Sequence, residues 1–131
     1  MRRAFTLLEL MVVIILIGIL ASLGTVSYTN VIEKARRGEA ASILGTMRQM
    51  AVVTFQETGA YPTAAAQLQG LLGANFPAGA CNGNYYFQYS MDATGMGTAT
   101  RCAAGGKTPQ GNAADTMTLT INGGKGGTVN W

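Results

Sequence analysis

Apolar residues follow one another almost without interruption from Phe5 to Leu23, a stretch of about 19 residues that would measure roughly 28 Å as an α-helix. This length is enough to cross the hydrocarbon core of a bilayer, so the pattern predicts a membrane-spanning helix. The stretch contains one charged residue, Glu9. Because a carboxylate deep in lipid costs about 2.5–3.5 kcal/mol even on lenient insertion scales, Glu9 requires a compensating interaction.

Beyond this run the apolar positions recur at helical spacing, which predicts that the same helix continues as an amphipathic one. The positions are Tyr28, Val31, Ile32 and Ala35, followed by Ile43, Leu44, Met47, Met50, Ala51 and Phe55. Gly59 and the pair Tyr61-Pro62 predict its end, since glycine favours the position after a helix and the residue before proline avoids helical angles. One helix of about 50 residues is therefore expected. Its first half would anchor the chain in the membrane, and its second half would pack against a sheet.

The rest of the chain predicts a short helix and several strands. Thr63 is a candidate cap for a helix from Ala64 to about Leu72. Strand-like runs separated by glycine-rich turns are Tyr85–Met91, Thr98–Cys102, Thr116–Ile121 and Thr128–Trp131. The fold class is therefore predicted as α+β, with a long N-terminal helix packed on a C-terminal antiparallel sheet of about four strands.

Three interpretations of the N-terminus compete. A secretory signal peptide explains Arg2-Arg3 and the apolar run, but Ser22-Leu23-Gly24 is a poor cleavage site and the apolar region of a signal peptide carries no charge. A plain membrane anchor, with Arg2-Arg3 retained in the cytoplasm, leaves Glu9 unexplained.

The third interpretation is a resemblance to a known family. The run from Ala4 through Phe5 to Leu10, Ala-Phe-Thr-Leu-Leu-Glu-Leu after a short basic leader, resembles the processing site shared by type IV pilins, type II secretion pseudopilins and competence pilins. The resemblance implies that a prepilin peptidase cuts between Ala4 and Phe5 and methylates the new amine of Phe5. Glu9 then becomes the assembly residue, facing the Phe5 ammonium of a neighbouring subunit, whereas in the membrane-resident protomer it would lie near the interface and pair with its own amine. The family usually has glycine where Ala4 stands, and alanine is the next smallest residue.

The resemblance also implies a domain organisation and the pilin ladle fold. Residues 1–4 are the leader, 5–27 the helix that lies in the membrane or filament core, and 28–131 the globular domain. Within that domain the second half of the helix spans 28–58, a connecting loop 59–80 and the sheet 81–131. The family often has proline at the position of Val26, so local unwinding of the helix and a straight helix both remain open.

Cys81 and Cys102 lie in the part that the resemblance places outside the cell, where a disulfide is favoured over two reduced, buried thiols. The chain has no histidine, and its net charge of +3 comes from nine basic and six acidic residues. Without Arg2 and Arg3 it is near neutral, so nothing favours a nucleic-acid partner. No zinc site, catalytic group or cofactor site is expected. The resemblance implies that major pseudopilins commonly bind calcium, but here Asp92, Asp115 and backbone carbonyls could make at most a weak site, so no metal is predicted.

These observations predict a structural protein and not an enzyme. The first hypothesis is a pilin, the major subunit of a type IV pilus used in adhesion, twitching motility or DNA uptake. The alternatives are a pseudopilin of a type II secretion system and a minor or competence pilin. Its partners would be identical subunits in a helical filament, the prepilin peptidase and methyltransferase, the inner-membrane assembly machinery and, before assembly, the membrane. The precursor would reside in the bacterial inner membrane and the assembled pilus outside the cell.

Overall fold

One helix runs through nearly half of the chain. The computed structural model describes residues 5–129 and 131, without the side chains of residues 24–27. Its elements in chain order are the helices α1 (Leu7–Thr58) and α2 (Ala65–Leu72) and the strands β1 (Phe87–Met91), β2 (Gly97–Arg101), β3 (Thr116–Leu119) and β4 (Lys125–Gly127). The leader predicted at residues 1–4 lies outside the described residues. The chain divides after Ala35 into two units.

The described part of the first unit consists of Phe5, Thr6 and α1 as far as Ala35. The helix continues through residues 24–27 without a break in its backbone. At Gly18 an added Cβ would meet no atom within 4 Å, so this glycine is not required by close packing within the chain. The Ser22 hydroxyl donates a hydrogen bond to the Ile19 carbonyl at 2.8 Å, which satisfies a polar group in an otherwise apolar segment.

The second unit has its core between α1 and the sheet. The helix buries Ala40, Leu44, Met47 and Ala51, which recur every three or four residues. Met50 and Phe55, predicted to face the sheet, are instead 38% and 44% exposed. The helix ends as predicted, with Gly59 at a φ of 77° and its N–H bonded to the Phe55 carbonyl at 2.8 Å.

The four strands form one antiparallel sheet in the order β1-β2-β3-β4, which confirms the predicted α+β class. Alternate residues face the helix, because successive side chains of a strand point to opposite faces. The sheet residues of the core are Phe87, Tyr89, Met91, Ala99, Met117 and Leu119. At Gly97 an added Cβ would lie 3.2 Å from Leu44 Cδ2, so helix and sheet approach closely there.

Several predicted boundaries were wrong. The last strand is Lys125–Gly127, within a segment predicted as a turn, and not Thr128–Trp131. The cap of α2 is Ala64 and not Thr63, and the Gln67 side chain accepts a hydrogen bond from the Ala64 N–H at 3.1 Å. Strand β1 begins at Phe87, two residues later than predicted.

Candidate functional site

From Phe5 to Leu23 the surface of the chain is largely apolar and exposed. From Phe5 to Leu23 every large apolar side chain is at least 43% exposed, with Phe5 at 75% and Leu7 at 77%. A contiguous apolar surface of this extent marks a site of interaction with protein or membrane. Within the described residues, α1 is the one helix long and apolar enough to cross a membrane.

Glu9 stands in the first turn of α1. Its backbone N–H is capped by the hydroxyl of Thr6, at a donor–acceptor distance of 3.3 Å, and by the Thr6 carbonyl at 3.1 Å. A carboxylate in this turn is also favoured by the helix dipole, by about 0.3–1 kcal/mol. Glu9 therefore has a local stabilising role in addition to any role in assembly.

Of the two residues at the predicted processing site, the structure describes one. Phe5 lies just before α1 with an exposed side chain, whereas Ala4 is outside the described residues, so the bond between them is not described. Sequence reasoning missed Thr6 as the helix cap. Its signal was present, because threonine followed three residues later by glutamate is a capping-box pattern.

Cys81 and Cys102 form a disulfide in the second unit, with their Cα atoms 5.9 Å apart. Cys81 precedes β1 and Cys102 directly follows β2, so the bond joins the start of this hairpin to its end. Cys102 is completely buried, whereas Cys81 is partly exposed. The bond therefore closes a covalent loop around β1 and β2.

Arg101 is buried, with 2% of its surface exposed. It is the last residue of β2, and its guanidinium donates hydrogen bonds to the carbonyls of Tyr86 at 3.0 Å and Pro109 at 2.8 Å. It also lies over the rings of Tyr86 and Phe87, with its Cζ 5.0 and 5.4 Å from the two centroids. Hydrogen bonds and ring contacts together allow a buried cation.

The two shifted pKa values in the second unit have different causes. Burial raises the pKa of Tyr89, and the charge of Glu39 adds to this effect. Hydrogen bonds lower the pKa of Asp92, the largest effect being that of the Thr94 hydroxyl. Among the described residues, no group of three or more His, Cys, Asp or Glu side chains could hold a metal ion.

Two comparisons with known proteins found proteins or motifs similar to this chain. A family model described as "Prokaryotic N-terminal methylation motif" matches residues 1–25. The type II secretion system core protein G of Klebsiella pneumoniae is 36% identical to this chain over 86 residues. That match covers 60% of this chain and 61% of the relative, which is less than two thirds of the relative's length.

Proposed function

Because the chain belongs to the pilin and pseudopilin family, we propose that it is a structural subunit that polymerises through its N-terminal helix into a type IV pilus. The observation that carries the proposal is the exposed apolar surface of α1 from Phe5 to Leu23. Nothing in the described part of the chain covers this surface, so it needs lipid or other protein chains around it. The family consists of structural proteins, and the proposal assigns no enzymatic activity.

The proposed assembly begins with a precursor anchored in the inner membrane by α1. The prepilin peptidase removes residues 1–4 and methylates the amine of Phe5. The assembly machinery then transfers the helix from lipid into a bundle of identical helices, and residues 28–131 form the outer part of the filament. Because both surroundings are apolar, the hydrophobic gain is small, and close packing and polar pairs must supply the specificity.

Glu9 is the residue that we assign to this specificity. In a water-excluded filament core, its carboxylate and the Phe5 ammonium of a neighbouring subunit attract each other strongly. Either charge alone would be costly there, by several kcal/mol. The pair therefore fixes the position of one helix against the next.

A second candidate function is that of a pseudopilin in a type II secretion system. The relative from Klebsiella pneumoniae favours it, since its name places that protein in such a system. The pilus is preferred because the disulfide-closed hairpin is typical of pilins. The Asp92 carboxylate, moreover, already accepts hydrogen bonds from its own turn, which reduces its capacity as a calcium ligand.

The test is mass spectrometry of material sheared from the surface of cells that produce the chain. A pilin should dominate this material as a species that begins at N-methylated Phe5 and is two hydrogens lighter because of the Cys81–Cys102 bond. A chain cut at Phe5 but found only in the membrane fraction would overturn the pilus and support the pseudopilin. A chain that still begins at Met1 would contradict the proposed processing.

A further inference from the structure

Three cationic side chains converge on the ring of Tyr86, next to the start of β1. The Cζ atoms of Arg36 and Arg101 each lie 5.0 Å from the ring centroid, and the Nζ of Lys107 lies 4.9 Å from it. They come from α1, from the end of β2 and from the loop after it, and Lys107 is exposed. We call Arg36, Arg101 and Lys107 the basic end of the hairpin. Like charges held this close together concentrate positive potential at one place.

Asp92 lies beyond the other end of β1, as the first residue of the turn that leads to β2. Its Oδ1 accepts hydrogen bonds from the N–H and hydroxyl of Thr94 at 2.8 and 2.6 Å and from the N–H of Met96 at 3.0 Å. The side chain is nevertheless exposed. Because these bonds hold its pKa below the usual range, Asp92 presents a fixed negative charge in a defined orientation.

The paired strands β1 and β2 keep the two charged sites apart. Their register places Phe87 opposite Arg101 at the basic end and Met91 opposite Gly97 beside Asp92. At about 3.4 Å per residue, the strand between Tyr86 and Asp92 spans roughly 20 Å. The disulfide joins the segment before β1 to the residue after β2, at the basic end. The hairpin therefore carries positive charge at one end and negative charge at the other.

We propose that Asp92 of one copy binds the basic end of the next copy, at Lys107, so that successive hairpins in the filament meet head to tail. This inference rests on the proposed function, because it requires the chain to polymerise. The partner is a second copy because the same element carries both halves of a complementary pair. Contact between two different surfaces of identical subunits repeats into an open filament when its rotation does not close a ring, and opposite charges fix which surfaces meet.

Carbodiimide cross-linking of intact sheared fibres tests this contact, because the reagent joins a carboxylate to an amine without adding a spacer. We expect a covalent dimer on a denaturing gel, and a peptide from it in which the Asp92 carboxylate is bonded to Lys107 Nζ. Within one chain the strand length separates these two groups, so the bond must join two copies. High salt during the reaction should reduce the yield of the dimer, because exposed ion pairs are screened.

Two variants and one control make the test specific. Lys107→Gln should remove the cross-link, and so should Asp92→Asn, which keeps an oxygen acceptor for Thr94 and Met96. Lys125→Gln is the matched control, because Lys125 is also exposed, with its Nζ 5.0 Å from the ring centroid of Trp131, but belongs to β4. This variant should leave the cross-link unchanged.

The outcomes separate this inference from the proposed function. Fibres that contain the chain but join Lys107 to another carboxylate, to another protein or to nothing would overturn the head-to-tail contact and leave the pilus proposal intact. If the chain is absent from fibres altogether, the pilus proposal fails and the inference fails with it. An Asp92–Lys107 bond that the Lys107→Gln change removes would support both.

Discussion

Loss of the disulfide should lower the free energy of unfolding of the second unit by about 3 kcal/mol, the chain entropy that a cross-link across a loop of this size removes from the unfolded state. The two cysteines are 21 positions apart and enclose β1 and β2. Domains of ordinary size are stable by about 5–15 kcal/mol, so a loss of this size is a large share of the total.

Cys81→Ala is the variant that tests this value. Cys81 is partly exposed, so alanine there disturbs few contacts, whereas Cys102 is fully buried. The remaining thiol of Cys102 is tolerated as a small apolar group. Since 1.4 kcal/mol corresponds to a factor of ten, the ratio of folded to unfolded protein should fall on the order of a hundredfold.

The assay is urea unfolding of the full chain in detergent micelles, followed by the fluorescence of Trp131, the single tryptophan of the sequence. Trp131 packs against the core, and its indole N–H donates to the Gly126 carbonyl at 2.9 Å, so its emission reports on the sheet. Reduction of the wild type should reproduce the lower midpoint of the variant, and reduction of the variant should change nothing. Equal midpoints for Cys81→Ala and the oxidised wild type would refute the entropy argument.

Two further predictions concern turns of the sheet. Gly95 and Gly123 both have positive φ, 81° and 88°, but an added Cβ at Gly95 would also lie 2.9 Å from the ring of Tyr61, whereas at Gly123 it would meet no atom within 4 Å. Gly95→Ala should therefore lower the thermal midpoint more than Gly123→Ala does. The Gly123→Ala change should reduce the free energy of unfolding by only about 1–2 kcal/mol, through backbone strain. Equal decreases in the two midpoints would argue against the clash with Tyr61. For Asp92, a lowered pKa in the folded state gives stability that is present above the ordinary carboxylate pKa, about 3.9, and is lost as the pH falls through the lowered value. The urea midpoint should thus fall more steeply on acidification below about pH 4 in the wild type than in Asp92→Asn, and parallel curves would contradict this reasoning.

The long helix could be predicted from sequence because its signals are local. An uninterrupted apolar run, regular spacing after it and a glycine near Tyr61-Pro62 each depend only on neighbouring residues. Which face of α1 packs on the sheet was harder to predict, because apolar residues occupy several overlapping rows between Ile43 and Phe55. Contact with the strands selects the row that contains Leu44 and Met47 and leaves Met50 exposed.

Strand β4 was missed because its residues have no strand signal of their own. Lys-Gly-Gly lacks β-branched and aromatic side chains, and glycine is typical of turns. The segment is a strand because it pairs with β3, from Leu119 opposite Lys125 to Met117 opposite Gly127. At Gly126 an added Cβ would lie 2.9 Å from the hydroxyl of Thr118, so glycine allows the close approach. Such a contact cannot be inferred from the three residues alone.

The charged sites of the hairpin could not be predicted from the sequence, for a similar reason. The sequence predicts a solvated surface for arginine, and the burial of Arg101 depends on carbonyls and rings that the fold brings to it. Arg36 and Lys107 are 71 positions apart in sequence, and the fold brings both to the ring of Tyr86. The N-terminal motif, in contrast, could be recognised from sequence because its residues are contiguous, and a family model matches it at residues 1–25.

Glu9→Gln separates the two roles of Glu9, because glutamine can still serve in a capping box but cannot neutralise an ammonium group. If the carboxylate pairs with Phe5 of a neighbour, its loss leaves a charge unpaired in an apolar core, at a cost of about 3–5 kcal/mol. The variant should then reach the membrane and be cut before Phe5 at the wild-type level, yet yield few or no sheared fibres. Thr6→Ala is the matched control, since it removes the hydroxyl that caps the Glu9 N–H and keeps the carboxylate, so its fibres should persist. Fibres of Glu9→Gln in wild-type amounts would limit Glu9 to its own helix and leave close packing of the exposed apolar surface as the source of register.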